Sequence, residues 1–153
     1  METMLAGIDG VLMLLVGLVV FFALVFAGVL VVLRYTARQK EASARERYPT
    51  ARQIDRASFF GQESRGVRQM RGNGTLILTD SELIFEMWVG HTEFRIPLRS
   101  IQALENPTSF LGKSRLTPLL KVVYTNAQGS TDAMAWQVPD LNRWMRQING
   151  ART

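Results

Sequence analysis

The side chains that could do chemistry are few, and their spacing argues against catalysis. The single histidine, His91, follows Gly90 with Glu93 two positions on, which is the composition of a turn. Asp80, Glu82 and Glu86 fall on a turn and on alternate positions of an apolar run, where carboxylates commonly make surface ion pairs. The chain has no cysteine, so it has no thiolate nucleophile, no thiolate metal ligand and no disulfide framework. Gly72-Asn73-Gly74 carries two glycines but runs into the strand-like Thr75-Leu76-Ile77-Leu78, whereas a dinucleotide-binding glycine loop opens a helix. There is no Walker loop and no serine nucleophile elbow. The expectation is a protein without catalytic, cofactor or metal sites.

Tryptophan is the more informative residue type. In Leu83-Ile84-Phe85-Glu86-Met87-Trp88-Val89, a period of two sets Leu83, Phe85, Met87 and Val89 on one face and Ile84, Glu86 and Trp88 on the other. If the first set is core, Trp88 and Ile84 form a candidate partner surface, because exposed aromatics with polar neighbours dominate binding hot spots. The alternative is that a nearby loop, such as residues 105–116, covers Trp88. Trp136, just ahead of Val138 and the final helix, is expected in the core.

The elements that must position these residues divide the chain sharply. Gly10 to Leu33 contains no charged side chain, and all 18 Lys and Arg residues lie from Arg34 onward. At the helical rise these 24 positions span roughly 36 Å, enough to cross a hydrocarbon core of about 30 Å. Three features argue against a cleaved signal. METMLAGIDG lacks Lys and Arg, the apolar run is too long, and no small-x-small site leads into a polar start. The expectation is an uncleaved single-pass anchor in the cell membrane. Cation bias places the N-terminus outside and the C-terminal domain in the cytoplasm. Ala23 and Ala27 form one small-xxx-small pair through which helices of two copies could meet.

Residues 34–71 hold ten Lys or Arg against four acids, while residues 72–153 hold eight against seven. The basicity belongs to the membrane-proximal part, so it does not mark a nucleic-acid reader. The connector continues the anchor as helix until Pro49, and Arg34, Arg38 and Lys40 are near enough to feel anionic headgroups. The organisation expected is a short tail at 1–9, a transmembrane helix at 10–33, a basic helical connector at 34–57 and a folded domain at 58–150.

Within that domain the pattern is of short alternating strands. Asn73-Gly74 reads as the turn of a hairpin between residues 66–70 and 75–79. Further strands are expected at 83–89, 93–98, 101–104, 119–125 and 130–138, with a surface loop at 105–116. Pro139-Asp140 opens a helix in which Leu141, Trp144, Met145 and Ile148 share one stripe, with Gly150 as its stop.

About seven antiparallel strands followed by one amphipathic helix with a central Trp resemble the pleckstrin-homology-like superfold, in particular bacterial membrane-anchored and GRAM-like members. The resemblance is carried by Gly74-Thr75-Leu76-Ile77-Leu78-Thr79-Asp80 with Glu82-Leu83-Ile84-Phe85, by Ile96-Pro97-Leu98-Arg99-Ser100-Ile101, and by the Trp144 helix. It implies an α+β, mainly β, architecture, namely an antiparallel β-barrel closed by a C-terminal α-helix behind one transmembrane helix. It also implies a binding module, either a protein-interaction or accessory subunit of a membrane assembly or a sensor of anionic lipid headgroups. For the second, the candidate contacts are Arg34, Arg38 and Lys40 near the membrane, with Arg65, Arg68, Arg71, Lys113 and Arg115 in the domain. On a strand of period two, Arg65, Arg68 and Arg71 would alternate between faces, so a solvated basic edge is the simpler expectation for them.

Overall fold

The computed structural model describes residues 2–69, 71–90, 92–114 and 116–152, with side chains described from Leu12 onward. It divides into two units, residues 1–39 and 40–153. Helix α1 runs from Glu2 to Arg47, ending two residues short of Pro49 as the ring geometry of proline requires. Among the described residues, α1 is the one helix long and apolar enough to cross a membrane, criteria that a signal sequence in the same position also meets. From Leu12 to Leu33 its Leu, Val and Phe side chains are exposed.

The second unit is built on a seven-stranded antiparallel sheet. Its strands are β1 (Gln53–Gln62), β2 (Gly72–Leu78), β3 (Glu82–Met87), β4 (Glu93–Pro97), β5 (Ile101–Glu105), β8 (Leu120–Thr125) and β9 (Thr131–Gln137). A separate small hairpin, β6 (Ser109–Phe110) with β7 (Lys113–Ser114), stands between β5 and β8, and helix α2 (Leu141–Arg152) closes the chain. The strand order is β4-β3-β2-β1-β9-β8-β5. The architecture is the mainly β one expected from the sequence, a long apolar helix, an antiparallel sheet and a C-terminal helix, with the one difference that the sheet is open, β4 and β5 being its edges.

β1 is the strand that both halves share. Its residues from Gln53 to Phe59 pair with β2, while Ser58 to Gln62 pair with β9 across a register shift between Phe59 and Gly61. Gly61 has φ 139°, outside the reach of ordinary side chains, and a Cβ there would stand 2.9 Å from Leu111 Cδ1. Because β1 begins at Gln53, residues 53–57 belong to the sheet and not to the connector that sequence places at 34–57.

The expected Asn-Gly hairpin is also corrected. Gly72, Asn73 and Gly74 lie inside β2, opposite Phe59, Ser58 and Ala57. Gly74 is there for close packing, since a Cβ would meet Glu86 O and the Phe85 ring at 2.4 Å. The remaining strands and α2 follow the sequence pattern to within a few residues, although α2 runs past Gly150 to Arg152.

The inner face carries one core in which Phe59, Phe85 and Trp136 meet at ring distances of 5.5–6.0 Å. Helix α2 caps it. Asp140 Oδ1 accepts the Arg143 N–H at 2.9 Å, satisfying an orphan donor of the first turn. Trp144 and Ile148 are fully buried, at about 1.5–3 kcal/mol each. The Trp144 indole N–H reaches across to Asp55 Oδ2 at 3.1 Å, which fixes the helix rotation.

Candidate functional site

Strand pairing puts Thr75 opposite Glu86 and Ile77 opposite Ile84, and the outward set Ile84, Glu86, Trp88 is the one that alternation predicts. What lies over it differs. Ile84 is 1% exposed, packed with Ala44, Ile54 and Ile77 and bordered by Tyr48 and Ala51. As an open partner surface Ile84 is thus corrected, because the end of α1, forty residues earlier in the chain, occupies the space above it. The expected cover for Trp88, residues 105–116, lies elsewhere. That segment forms the β6–β7 hairpin and sinks Phe110 against Phe60 and Leu119.

Trp88 itself is half-buried, and its indole N–H donates to Thr75 Oγ1 at 2.9 Å. It lines a shallow groove of about 190 Å³ with Lys40, Arg47, Thr75, Glu86 and Thr92. Charge surrounds the groove in alternating sign. Arg47 grips Glu86 with both guanidinium nitrogens, at 2.7 and 2.5 Å, and this hydrogen bonding raises the guanidinium above its ordinary value. On the neighbouring edge strand Arg95 bridges Glu93 and Glu82, the latter at 3.0 Å, and donates to Tyr48 Oη at 3.1 Å. The site therefore offers one aromatic face within a polar rim, suited to a side chain or peptide carrying both apolar and charged groups.

The cations of the β1–β2 connection sit in a loop, so the alternation argument does not apply to them. The chain there makes a 3-10 turn at Glu63–Arg65 and passes Gly66 at φ 69°. Arg65 lies 5.5 Å from the Phe94 ring centre, on the inner side with Phe59, whereas Arg71 lies 4.7 Å from Phe60 on the outer side. The loop thus straddles the sheet and does not bring Arg65 and Arg71 onto one face. Arg68 is exposed, and Lys113 Nζ donates to Gln69 O at 3.4 Å. Arg34, Arg38 and Lys40 are exposed on α1, as are Ala23 and Ala27, while Arg115 and His91 lie outside the described residues. Among the described residues, none of Arg65, Arg68, Arg71 and Lys113 is in an ion pair. Beside them Val67 is 61% and Leu116 103% exposed.

This loop is held by an acid that sequence reading passed over. Asp132, 2% exposed, accepts Gln62 Nε2 at 2.6 Å, Ser64 Oγ at 2.7 Å, Ser64 N at 3.0 Å and Tyr124 Oη at 3.3 Å. Burial works to raise its carboxyl, but the donors from Gln62, Ser64 and the Ala133 N–H outweigh burial and hold it below the ordinary value. Burial, reinforced by the Asp132 charge, pushes the Tyr124 hydroxyl up. The available signal was that Asp132 falls in register with Met134 and Trp136, so an acid is aimed at the core side. Its donors from the β1–β2 loop, Gln62 and Ser64, are some seventy positions away. Its arrangement is a structural tether with all acceptor sites engaged. Among the described residues, no group of three or more His, Asp and Glu side chains is placed to hold a metal ion.

No protein-family model and no curated protein matches the sequence. Among solved structures, the C-terminal domain of an unknown protein from Leishmania infantum is similar, with a TM-score of 0.54 at 13% identity over 73% of this chain and 96% of that one. At that identity the likeness shows a shared fold alone. Vav1 inhibited by an allosteric inhibitor aligns with a TM-score of 0.46 at 15% identity, over 67% of this chain and 26% of that one, too weak a likeness to carry a shared fold.

Proposed function

We propose that this chain is a single-pass membrane-anchored binding module, in which a PH-like domain on the cytoplasmic side docks a protein partner and serves as an accessory subunit of a membrane assembly. The domain assignment rests on seven antiparallel strands ended by a C-terminal helix that plugs the inner core through Trp144. The anchor rests on the charge-free run Gly10–Leu33, and the orientation on the cations that begin at Arg34. The observation that carries the partner reading is the Trp88 groove, where a half-buried indole sits between Arg47, Glu86 and Thr75 on the outer face of the sheet. The indole N–H is already used, so a partner meets its ring edge and face, and such rings contribute most at interfaces.

Crosslinking of the full chain in its native membrane tests this. Trp88→Ala is expected to lower recovery of the crosslinked partner by roughly tenfold or more, the loss typical of an interfacial aromatic anchor. Replacement of residues 10–33 by an unrelated membrane helix is expected to leave recovery intact. Unchanged recovery with Trp88→Ala overturns the reading. Digestion of the domain by protease added outside intact cells overturns the orientation.

A second reading has its own observation in its favour. Arg65, Arg68, Arg71 and Lys113 stand near the exposed apolar tips Val67 and Leu116, a combination that suits an anionic lipid surface. Flotation of residues 40–153 with vesicles of increasing anionic lipid decides between them. Binding that ignores the anionic fraction removes the lipid reading.

A further inference from the structure

We propose that residues Lys40–Arg47, the last two turns of α1, form a latch that opens separately from the sheet and uncovers the apolar strip Ile54, Ile77 and Ile84 while the rest of the domain stays folded. The strip is buried on the outer face of β1, β2 and β3, and Ala44, itself fully buried, is the α1 residue seated on it. Tyr48 and Ala51 border the contact from the segment between α1 and β1. Two methyl groups and one half-buried ring make a thin apolar seat compared with the inner core.

The bonds that hold the seat are polar and lie at its rim. They are the Arg47–Glu86 pair, Arg45 Nη2 to Ile54 O at 3.4 Å and Arg95 Nη2 to Tyr48 Oη at 3.1 Å. The Arg47 side chain is 53% exposed, so its ion pair is screened by solvent and salt. Beside the seat the helix does not lie flush, because the groove of about 190 Å³ separates Lys40 and Arg47 from Thr75 and Trp88.

The backbone makes the latch separable. A helix satisfies its own amides internally, so Lys40–Arg47 can leave the sheet without orphaning a ladder hydrogen bond, whereas no strand of the sheet can. The chain is re-anchored just beyond the latch, where Arg52 N donates to Leu78 O at 2.8 Å and Arg52 pairs with Asp80 at 2.5 Å. Bending is thereby confined to Tyr48, Pro49 and Thr50. Local openings of this kind occur well below the free energy of global unfolding.

Because the chain contains no cysteine, single-cysteine variants of the full-length protein in lipid vesicles report opening directly. Ile84 and Leu83 are neighbours on β3, each 1% exposed, one beneath the latch and the other in the inner core. Ile84→Cys is expected to react with a maleimide roughly tenfold or more faster than Leu83→Cys. Adding Glu86→Gln, or raising salt, is expected to quicken the first about two- to fivefold and leave the second unchanged. Ile77→Cys against Leu78→Cys repeats the comparison on β2, so a fold lost in one pair leaves the other to decide. Equal rates on the two faces, or rates that rise together, show that the strip opens only with the whole domain and overturn the latch. This readout is independent of any partner at Trp88.

Discussion

The outer face of the sheet carries two apolar patches, and the chain covers them by different means. Over β1–β2–β3, the strip Ile54, Ile77 and Ile84 lies under the end of α1, held at the rim by one ion pair and two hydrogen bonds. Over β1–β9–β8, Phe60, Ala133 and Ala135 lie under the β6–β7 hairpin, which inserts Phe110 and is stitched to the β1–β2 loop. The second cover is local, an aromatic plug on an insertion between strands β5 and β8. The first comes from the end of the long apolar helix α1. A cover that plugs is expected to contribute to stability, while a cover that rests on one alanine and rim charges is suited to moving.

Phe110→Ala is the strongest way to break this contrast. Phe110 is 7% exposed and packs with Phe60 and Leu119, so its removal is expected to cost about 3–5 kcal/mol of domain stability, read from the denaturant midpoint. A loss below about 1 kcal/mol would make the hairpin as dispensable as the latch.

The loop that braces the hairpin depends on Asp132, and Asp132→Asn is expected to cost about 1–3 kcal/mol because Ser64 and Gln62 would face an amide in place of a carboxylate. The pH dependence has a definite sign. A carboxyl held below its unfolded value of about 3.9 stabilises the fold above that pH, and the contribution is lost as pH falls through the lower, folded value. The variant should therefore flatten the acid limb of the stability profile. An acid limb unchanged by the substitution would show that the tether carries no linkage.

On the other side, Ala44→Leu is expected to overpack a site with no space, costing about 1–3 kcal/mol if the latch is rigidly seated and far less if it swings away. Thiol reactivity at Ile84→Cys separates the two outcomes, since a displaced latch speeds labelling while stability barely changes.

The same contrast explains what the sequence made legible. Strands β3, β4, β8, β9 and helix α2 each keep one unbroken apolar set toward the inner core, even where Ile84, Ala133 and Ala135 are buried on the outer face, so period two or the Leu141, Trp144, Met145, Ile148 stripe locates them. β1 does not, because Ile54 and Phe60 serve outer patches while Ala57 and Phe59 serve the inner core, and the bulge before Gly61 shifts the phase. Its alternation is thereby erased, and Asn73-Gly74 took on the look of a turn when its glycine is there to let Phe85 approach. At the candidate site the direction of Trp88 and Ile84 was readable from β3 alone. Their cover was not, for it depends on where α1 ends after forty intervening residues, and no local periodicity encodes that. The tether at Asp132 escaped for the same reason.

The smallest expected effect is the most discriminating. Glu86→Gln removes the charge that Arg47 holds but keeps the shape, and a pair with one partner half-exposed is worth about 1 kcal/mol or less at moderate salt. Domain stability should therefore shift by that amount at most, and the shift should vanish at high ionic strength, where the Debye length falls to about 3 Å. If the pair were instead a buried strut of the fold, the loss would be several kcal/mol and insensitive to salt, as expected when one partner of a buried pair is left uncompensated. A small, salt-quenched shift accompanied by faster labelling beneath Ala44 assigns the pair to the latch. A large, salt-independent shift makes the end of α1 as fixed a cover as the Phe110 plug.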